Sequence, residues 1–189
     1  MDIIRESVVK IREILEHSGC EDDILLDVSP KAVNCQFERG ACMRALFGGR
    51  TADFVTFDPI RARTKISFMY DAPLDTLSTR GAASAIANVV TGFFCLSRVL
   101  HACEKSSHAP CFAELKKKIG GKNVFCIGEI AGIGQFAGMV VQDPDTADVI
   151  LIGSEGLVAE GTGDLIERYG KRKQIICIGS SVAGISRLH

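Results

Sequence analysis

The residues best suited to chemistry crowd into "HACEKSSHAPC", where His101, Cys103, His108 and Cys111 fall within eleven positions. Thiolate and imidazole are the donors that zinc, iron and copper prefer, and a turn between two helices could bring four of them together. The spacing follows no established zinc pattern, with one residue between the first pair and two between the last. It is therefore read as a candidate transition-metal site, with packing and capping as the alternative use of the same side chains.

A second set lies earlier in the chain. Cys35 and Cys42 flank "QFERGA", and with Arg39 and Arg44 close in sequence a thiol there could be activated by a positive neighbour. Arg39, Arg44, Arg50, Arg61, Arg63 and Arg80 could also clamp an acidic ligand, with Arg80 best placed because it starts a long helix. Each has a plainer reading, a small buried thiol or a solvated cation. No G-x-S-x-G, Walker loop, H-E-x-x-H or C-x-x-C occurs, which removes the commonest hydrolase, P-loop and zinc-protease readings.

The third set is glycine-rich. In "VFCIGEIAGIGQFAG", Gly132-Ile133-Gly134-Gln135-Phe136-Ala137 satisfies G-x-G-x-x-G/A. A dinucleotide fingerprint also needs a helix after the turn and a second strand ending in an acid about 20 residues on. Here Asp143 comes only 9 residues after Gly134, too soon for both. Standard NAD(P) binding is not expected. The glycines read as a close-approach loop or a compact turn.

Three apolar runs, "NVFCIGE", "DVILIGSE" and "QIICIGSS", lack in/out alternation, as parallel strands covered on both faces require. They share an ending: Ile127-Gly128-Glu129, Ile152-Gly153-Ser154 and Ile178-Gly179-Ser180. Ligands of open parallel sheets bind outside the carboxyl edge. Gly128, Gly153 and Gly179 are thus expected to let a ligand approach the backbone, together with Gly132 and Gly134. Ser154, Ser180 and Ser181 would donate hydrogen bonds, and Glu129 or Glu155 would fix a cation or a hydroxyl.

The elements that must position these residues are legible in outline. Ile4, Val8, Ile11 and Leu15 fall on one face of an N-terminal helix. "DILLDVS", "KAVNCQF", "ADFVTF" and "TKISFMY" read as strands of a small mixed or antiparallel sheet. A long helix is expected from about Thr79 to Ala102, and a short one through "CFAELKKKIGG", with Pro110 in its first turn and Gly120 as its cap. "GLVAEGTGDLIERYG" supplies the helix of a βαβ unit, with Leu165, Ile166 and Tyr169 toward the sheet. The fold class is α/β, with a strand-rich lobe over 1–78, connecting helices over 79–120 and a Rossmann-like lobe over 121–189.

The succession "GAASAIANVVTGF", "GKNVFCIGEI" and "ADVILIGSEGLVAEGTGDLIERYGKRKQIICIGSS" resembles the heavy-metal-chelation family, in which an enolase-N-terminal-like domain precedes a Rossmann-like domain. The similarity is best over Ala147 to Ser181. It implies a ligand or metal held between the lobes, and it marks Gly128, Gly153, Ser154, Gly179 and Ser180 as cleft-lining positions. The short connection after Ile130 and the richness in cysteine depart from the family.

Composition bounds the partners. A formal charge of -1 argues against a dedicated nucleic-acid surface, and Lys116-Lys117-Lys118 and Lys171-Arg172-Lys173 read as helix-end cations. The longest uncharged run, Gly81 to Ser97, covers 17 residues, short of a membrane span. The N-terminus lacks signal-peptide character, so a cytoplasmic location is expected and the eight cysteines are expected to be reduced. The function read from these residues is binding of a small anionic ligand or chelated metal at the strand tips. An enzyme of cofactor metabolism, acting on a nucleotide-like or pterin-like compound through Glu129 or a first-lobe cysteine, is the alternative. An interaction module whose apolar long helix supports a homodimer is the third reading.

Overall fold

The computed structural model describes residues 2–20, 23–136 and 139–189. The chain is an α/β protein with two sheets. Helix α1 (Ile3–Glu16) is capped by Asp2, whose carboxylate accepts from the Ile4 and Arg5 amides, and it buries Ile4, Val8, Ile11 and Leu15 as its periodicity requires. Strands β1 (Asp23–Val28), β2 (Ala41–Phe47), β3 (Arg50–Thr56) and β4 (Ala62–Lys65) form an antiparallel sheet in the order β3-β2-β1-β4.

Two of the expected strands differ. "KAVNCQF" is not a strand; the sheet uses Ala41–Phe47 instead, which pairs with β3 from Ala41↔Thr56 to Phe47↔Arg50. "TKISFMY" contributes only its start to β4 before tightening into a 3-10 turn at Ile66–Met69. The displaced segment 31–38 becomes a loop that crosses to the other sheet, a role its apolar character did not announce.

Helix α2 (Leu77–Phe93) begins in a Thr76/Thr79 capping box and is buried along every face from Arg80 to Gly92. On one side it meets the inner face of the antiparallel sheet, where Met43, Ala45, Phe47, Ala52 and Phe54 are wholly buried. On the other it meets α4 (Ser154–Val158) and α6 (Ala183–Leu188). Its small residues allow this. A Cβ on Gly184 would collide with Asn88, so α2 and α6 approach at van der Waals distance only because that position is glycine.

The helix ends well before Ala102. Phe94 caps it, Cys95 takes a positive φ of 57°, and the amides of Leu96 and Ser97 both donate to Thr91 O. Chain reversal follows: Leu100 packs over Gly92, and Leu100 O accepts the Asp53 amide at 2.8 Å, so the segment runs along the open edge of β3. An uncharged run cannot reveal this, because its residues suit a helix and a buried turn equally.

Helix α3 (His108–Ile119) ends at Gly120 in the left-handed conformation, as expected. Strands β5 (Val124–Ile127), β6 (Val149–Ile152) and β7 (Gln174–Cys177) form the parallel sheet in the order β5-β6-β7. Helices α4 and α5 (Thr162–Tyr169) link β6 to β7. Among the described residues no helix is long and apolar enough to cross a membrane.

Asn88 joins the layers. Its amide nitrogen donates to Asp53 O at 3.0 Å and Ser181 O at 2.8 Å, and its oxygen accepts from Gly184 N at 2.8 Å. All three partners lose their match if the amide is removed. Asn88→Ala is expected to lower the unfolding free energy by about 3 kcal/mol, since buried groups left unpaired cost roughly 1–3 kcal/mol each and relax in part. Urea denaturation would check this; a loss under about 1 kcal/mol would show that the pin is dispensable.

Candidate functional site

The carboxyl edge of the parallel sheet is closed by the protein itself. A Cβ on Gly128 would collide with the Gly156 backbone, and one on Gly156 with Ile127 O, so the start of α4 lies directly on the β5 tip. Gly153 donates to Ile127 O, and Ser154 is buried at the start of α4. Glu155 reaches the other sheet and accepts the Phe57 amide at 2.9 Å. The expectation that these glycines admit a ligand is corrected at Gly128, which admits the α4 backbone; Gly153 faces Glu129 O and the Ile130 side chain.

The third tip is occupied by a residue that sequence reasoning missed. Glu38, 4% exposed, accepts the Ser181 amide at 3.0 Å and the Ser180 hydroxyl at 3.3 Å. Gly179, at φ +106°, passes so close that a Cβ there would overlap the carboxyl group. Ser181 Oγ in turn accepts the Val55 amide at 2.8 Å. The loop 31–38 is tied down a second time where Phe37 O accepts the Ala131 amide at 2.8 Å. A single glutamate in "QFERG" carries no periodic or motif signal, so only the crossing of the loop could reveal it.

Gly132 and Gly134 sit on an exposed turn, with a 3-10 segment at Ile133–Phe136 where a dinucleotide fold needs a helix. The would-be second strand is one parallel bridge, Val124↔Val140, on the side of β5 away from β6. Ala137, the last position of the fingerprint, lies outside the described residues. Glu129 is exposed beside this loop.

Beside the closed edge, a cleft of about 490 Å³ opens at the β7 tip, within the range of small-ligand sites. Its floor is apolar: Phe37, Val99, Leu115, Ile176 and Ile178. Arg98 and Lys118 bring positive charge, the latter paired with Glu114 at 3.3 Å. Gly179 and Ser180 come from the strand tip, and His101, Cys103 and Cys111 from the segment read as a metal cluster. Two sets that are far apart in sequence thus meet in one space, together with Cys35 and Cys177.

They do not meet as a metal site. Among the described residues no group of three or more His, Cys, Asp or Glu side chains is placed to hold a metal ion. His101 Nδ1 lies 2.8 Å from Asp53 Oδ2, with Nε2 3.3 Å from Thr51 Oγ1. His108 does not line the cleft; its Nε2 is buried without a hydrogen-bond partner. Cys103 and Cys111 are exposed along the wall. Proximity along the chain did not become convergence because α3 starts at His108, whose ring turns away from the cleft lining, while His101 is held by Asp53 and Thr51.

The other reactive readings are also corrected. Burial pushes the Cys35 thiol up to about 11, and burial together with the neighbouring Asp53 carboxylate pushes Cys42 up to about 12. Neither is a thiolate at neutral pH. Four of the six arginines pair with aspartates of the chain: Arg44 with Asp53, Arg61 with Asp27, Arg63 with Asp23 and Arg80 with Asp2. Arg80 is buried against Val158 O and does not reach the cleft.

Burial raises the Glu38 carboxyl above its usual 4.5, outweighing the hydrogen bonds from Ser181 and Ser180. The folded state therefore favours the proton. The associated stability is present below pH 4.5 and is lost as pH rises through the raised folded value. Glu38→Gln keeps an acceptor for the Ser181 amide and removes this titration. Urea unfolding at several pH values should show wild type losing stability relative to the variant as pH rises above 4.5; a constant difference would place Glu38 in an environment that does not penalise its charge.

No family model matches the chain, and no curated protein matches it. A crystal structure of a protein with unknown function from the DUF364 family, from Pyrococcus horikoshii, is similar with a TM-score of 0.53 and 16% identity, covering 95% of this chain and 79% of that one. At that identity the likeness is one of fold.

Proposed function

We propose that the protein binds a small organic anion with an apolar body in the cleft at the β7 tip. One observation carries this reading: Arg98 and Lys118 stand over an apolar floor in a space of about 490 Å³, beside the backbone of Gly179 and Ser180. Arg98 has no acidic partner among the described residues, so its charge is available to a ligand. The apolar floor excludes a bare inorganic ion as the best fit, because an ion would leave most of the surface without a match. Gly179 leaves room for the Glu38 carboxyl, and Ser180 offers a hydroxyl that is shared with it.

The site is narrower than the whole strand-tip edge and sits to one side of it. The support for a cleft at β7 is the meeting of the third tip with segment 98–103; the first tip is covered by α4, and the second leads into α4 beneath Glu129 and Ile130. A metal complex of anionic chelators presents the same charge and size to the same walls. It is therefore an outcome of the test.

Native mass spectrometry of protein purified without oxygen or chelator, set against the denatured mass, would reveal a resident occupant. An excess of several hundred daltons with the composition of an organic acid is expected; a metal isotope pattern would assign a chelate. In parallel, 8-anilinonaphthalene-1-sulfonate supplies an apolar body with a fixed negative charge. Its fluorescence should rise on binding, and Arg98→Ala should weaken binding by about tenfold, the effect of removing one charge-assisted contact of roughly 1.5 kcal/mol. Equal affinity in wild type and Arg98→Ala would overturn the assignment of the anion to this cleft.

A further inference from the structure

We propose that His101, oriented by Asp53, is the acid–base residue of the cleft, exchanging a proton through Nε2 with a bound carbonyl-containing anion. The inference rests on the cleft reading above and adds a reaction class to it. Its basis is the hydrogen-bond chain Arg44–Asp53–His101. Arg44 Nε and Nη2 donate to the two Asp53 oxygens at 2.7 and 2.9 Å, and His101 Nδ1 lies 2.8 Å from Oδ2. Arg44 already neutralises the buried carboxylate in a bidentate pair. A second cation is not needed for that purpose, so charge balance alone does not account for the imidazole.

An ionised carboxylate can only accept. Neutral His101 must therefore carry its proton on Nδ1, which leaves a lone pair on Nε2. Nε2 meets Thr51 Oγ1, a residue outside the cleft lining, at 3.3 Å, so a ligand group reaches the lone pair by displacing that hydroxyl. The ring is 42% exposed and lines the cleft with Gly179 and Ser180. Burial alone would raise the Asp53 carboxyl, but the hydrogen bonds and charges of Arg44 and His101 outweigh it and hold it below the usual range.

The pair is also held rigidly. The Asp53 amide donates to Leu100 O at 2.8 Å, and Asp53 O accepts from Asn88 at 3.0 Å. The carboxylate and the residue preceding the imidazole are thus joined through the main chain. The charged and titratable groups around the ring are Asp53 and Arg44 on the sheet side, Arg98 and Cys103 on its own segment, and Cys35, Cys111, Glu114, Lys118 and Cys177 elsewhere in the cleft lining. The two cations there suit the charge of an anion whose reacting group points to Nε2.

In the reaction class this supports, Nε2 takes a proton from the carbon next to a carbonyl. The C–H electron pair becomes the enolate double bond, and the carbonyl pair moves onto oxygen. Return of the proton from the imidazolium completes exchange or tautomerisation with no further reactant. Asp53 acts as a positioning residue and stabilises the transient imidazolium.

Phenylpyruvate, an aromatic 2-oxo acid anion, is the probe. In D2O, loss of its C3 proton signal should run at least about tenfold faster with wild-type protein than in buffer, and His101→Gln should return most of that gain, since a positioned base contributes about 10²–10⁴-fold. Exchange is compared at saturating phenylpyruvate, and circular dichroism of the variant should match wild type, which separates loss of the base from weaker binding and from loss of the fold. ¹⁵N NMR of wild type should show the neutral ring protonated on Nδ1, and Asp53→Asn should shift the proton toward Nε2. Exchange at the buffer rate, equal exchange in wild type and His101→Gln, or a wild-type ring protonated on Nε2 would each overturn the proposal. Failure of the sulfonate probe to respond to Arg98→Ala would instead strike the cleft reading beneath it.

Discussion

Everything in this molecule depends on one constraint: α2 is buried on all sides, so each polar group it carries must be matched inside the protein. Ser84 and Thr91 satisfy themselves by donating to carbonyls one turn earlier, at Arg80 O and Ala87 O. Asn88 cannot do so, and its amide reaches outward in two directions. By holding Asp53 O on one side and Ser181 O and Gly184 N on the other, it sets the distance between the antiparallel sheet and the β7 tip. Both sheets therefore contribute to a single buried network around a single helix.

The same network determines which part of the parallel edge stays open. Gly128 at the first tip and Gly156 within α4 permit α4 to fold back onto β5, and the edge is closed there by backbone. At the third tip a buried carboxyl group, Glu38, takes the place of a bound anion, accepting the amide of Ser181 and the hydroxyl of Ser180. The loop bearing Glu38 forms one wall of the cleft through Cys35 and Phe37, while the reversal after α2 forms another through Arg98, Val99 and His101. An acceptor at the tip and cations at the rim give the cleft its polarity. The Asp53–His101 pair lies where the reversal meets β3.

Local patterning gave away the elements whose burial is periodic. The apolar face of α1, the unalternating runs of β5, β6 and β7, and the glycine cap of α3 each follow from side-chain geometry within a few residues. Segment 31–37 misled because β-branched and aromatic residues suit a buried loop as well as a strand, and the end of α2 misled because no proline or charge marks it. Of the candidate site, Gly179, Ser180, His101, Cys103 and Cys111 do share one cleft. The metal-holding geometry expected of His101, Cys103, His108 and Cys111 is not formed, and Arg98, Lys118 and Glu38 were not singled out.

The sequence by itself determined the α/β class, the parallel runs with their glycine tips, and the absence of a full dinucleotide turn, because these depend on spacing between near neighbours. Only the tertiary structure decided what each tip faces, that burial raises the thiols of Cys35 and Cys42, and that His101 has an aspartate 48 residues away at its back. Such properties arise from burial and from contacts between residues distant in the chain. A side chain's charge state and direction are set by neighbours that folding supplies, and no local pattern encodes them.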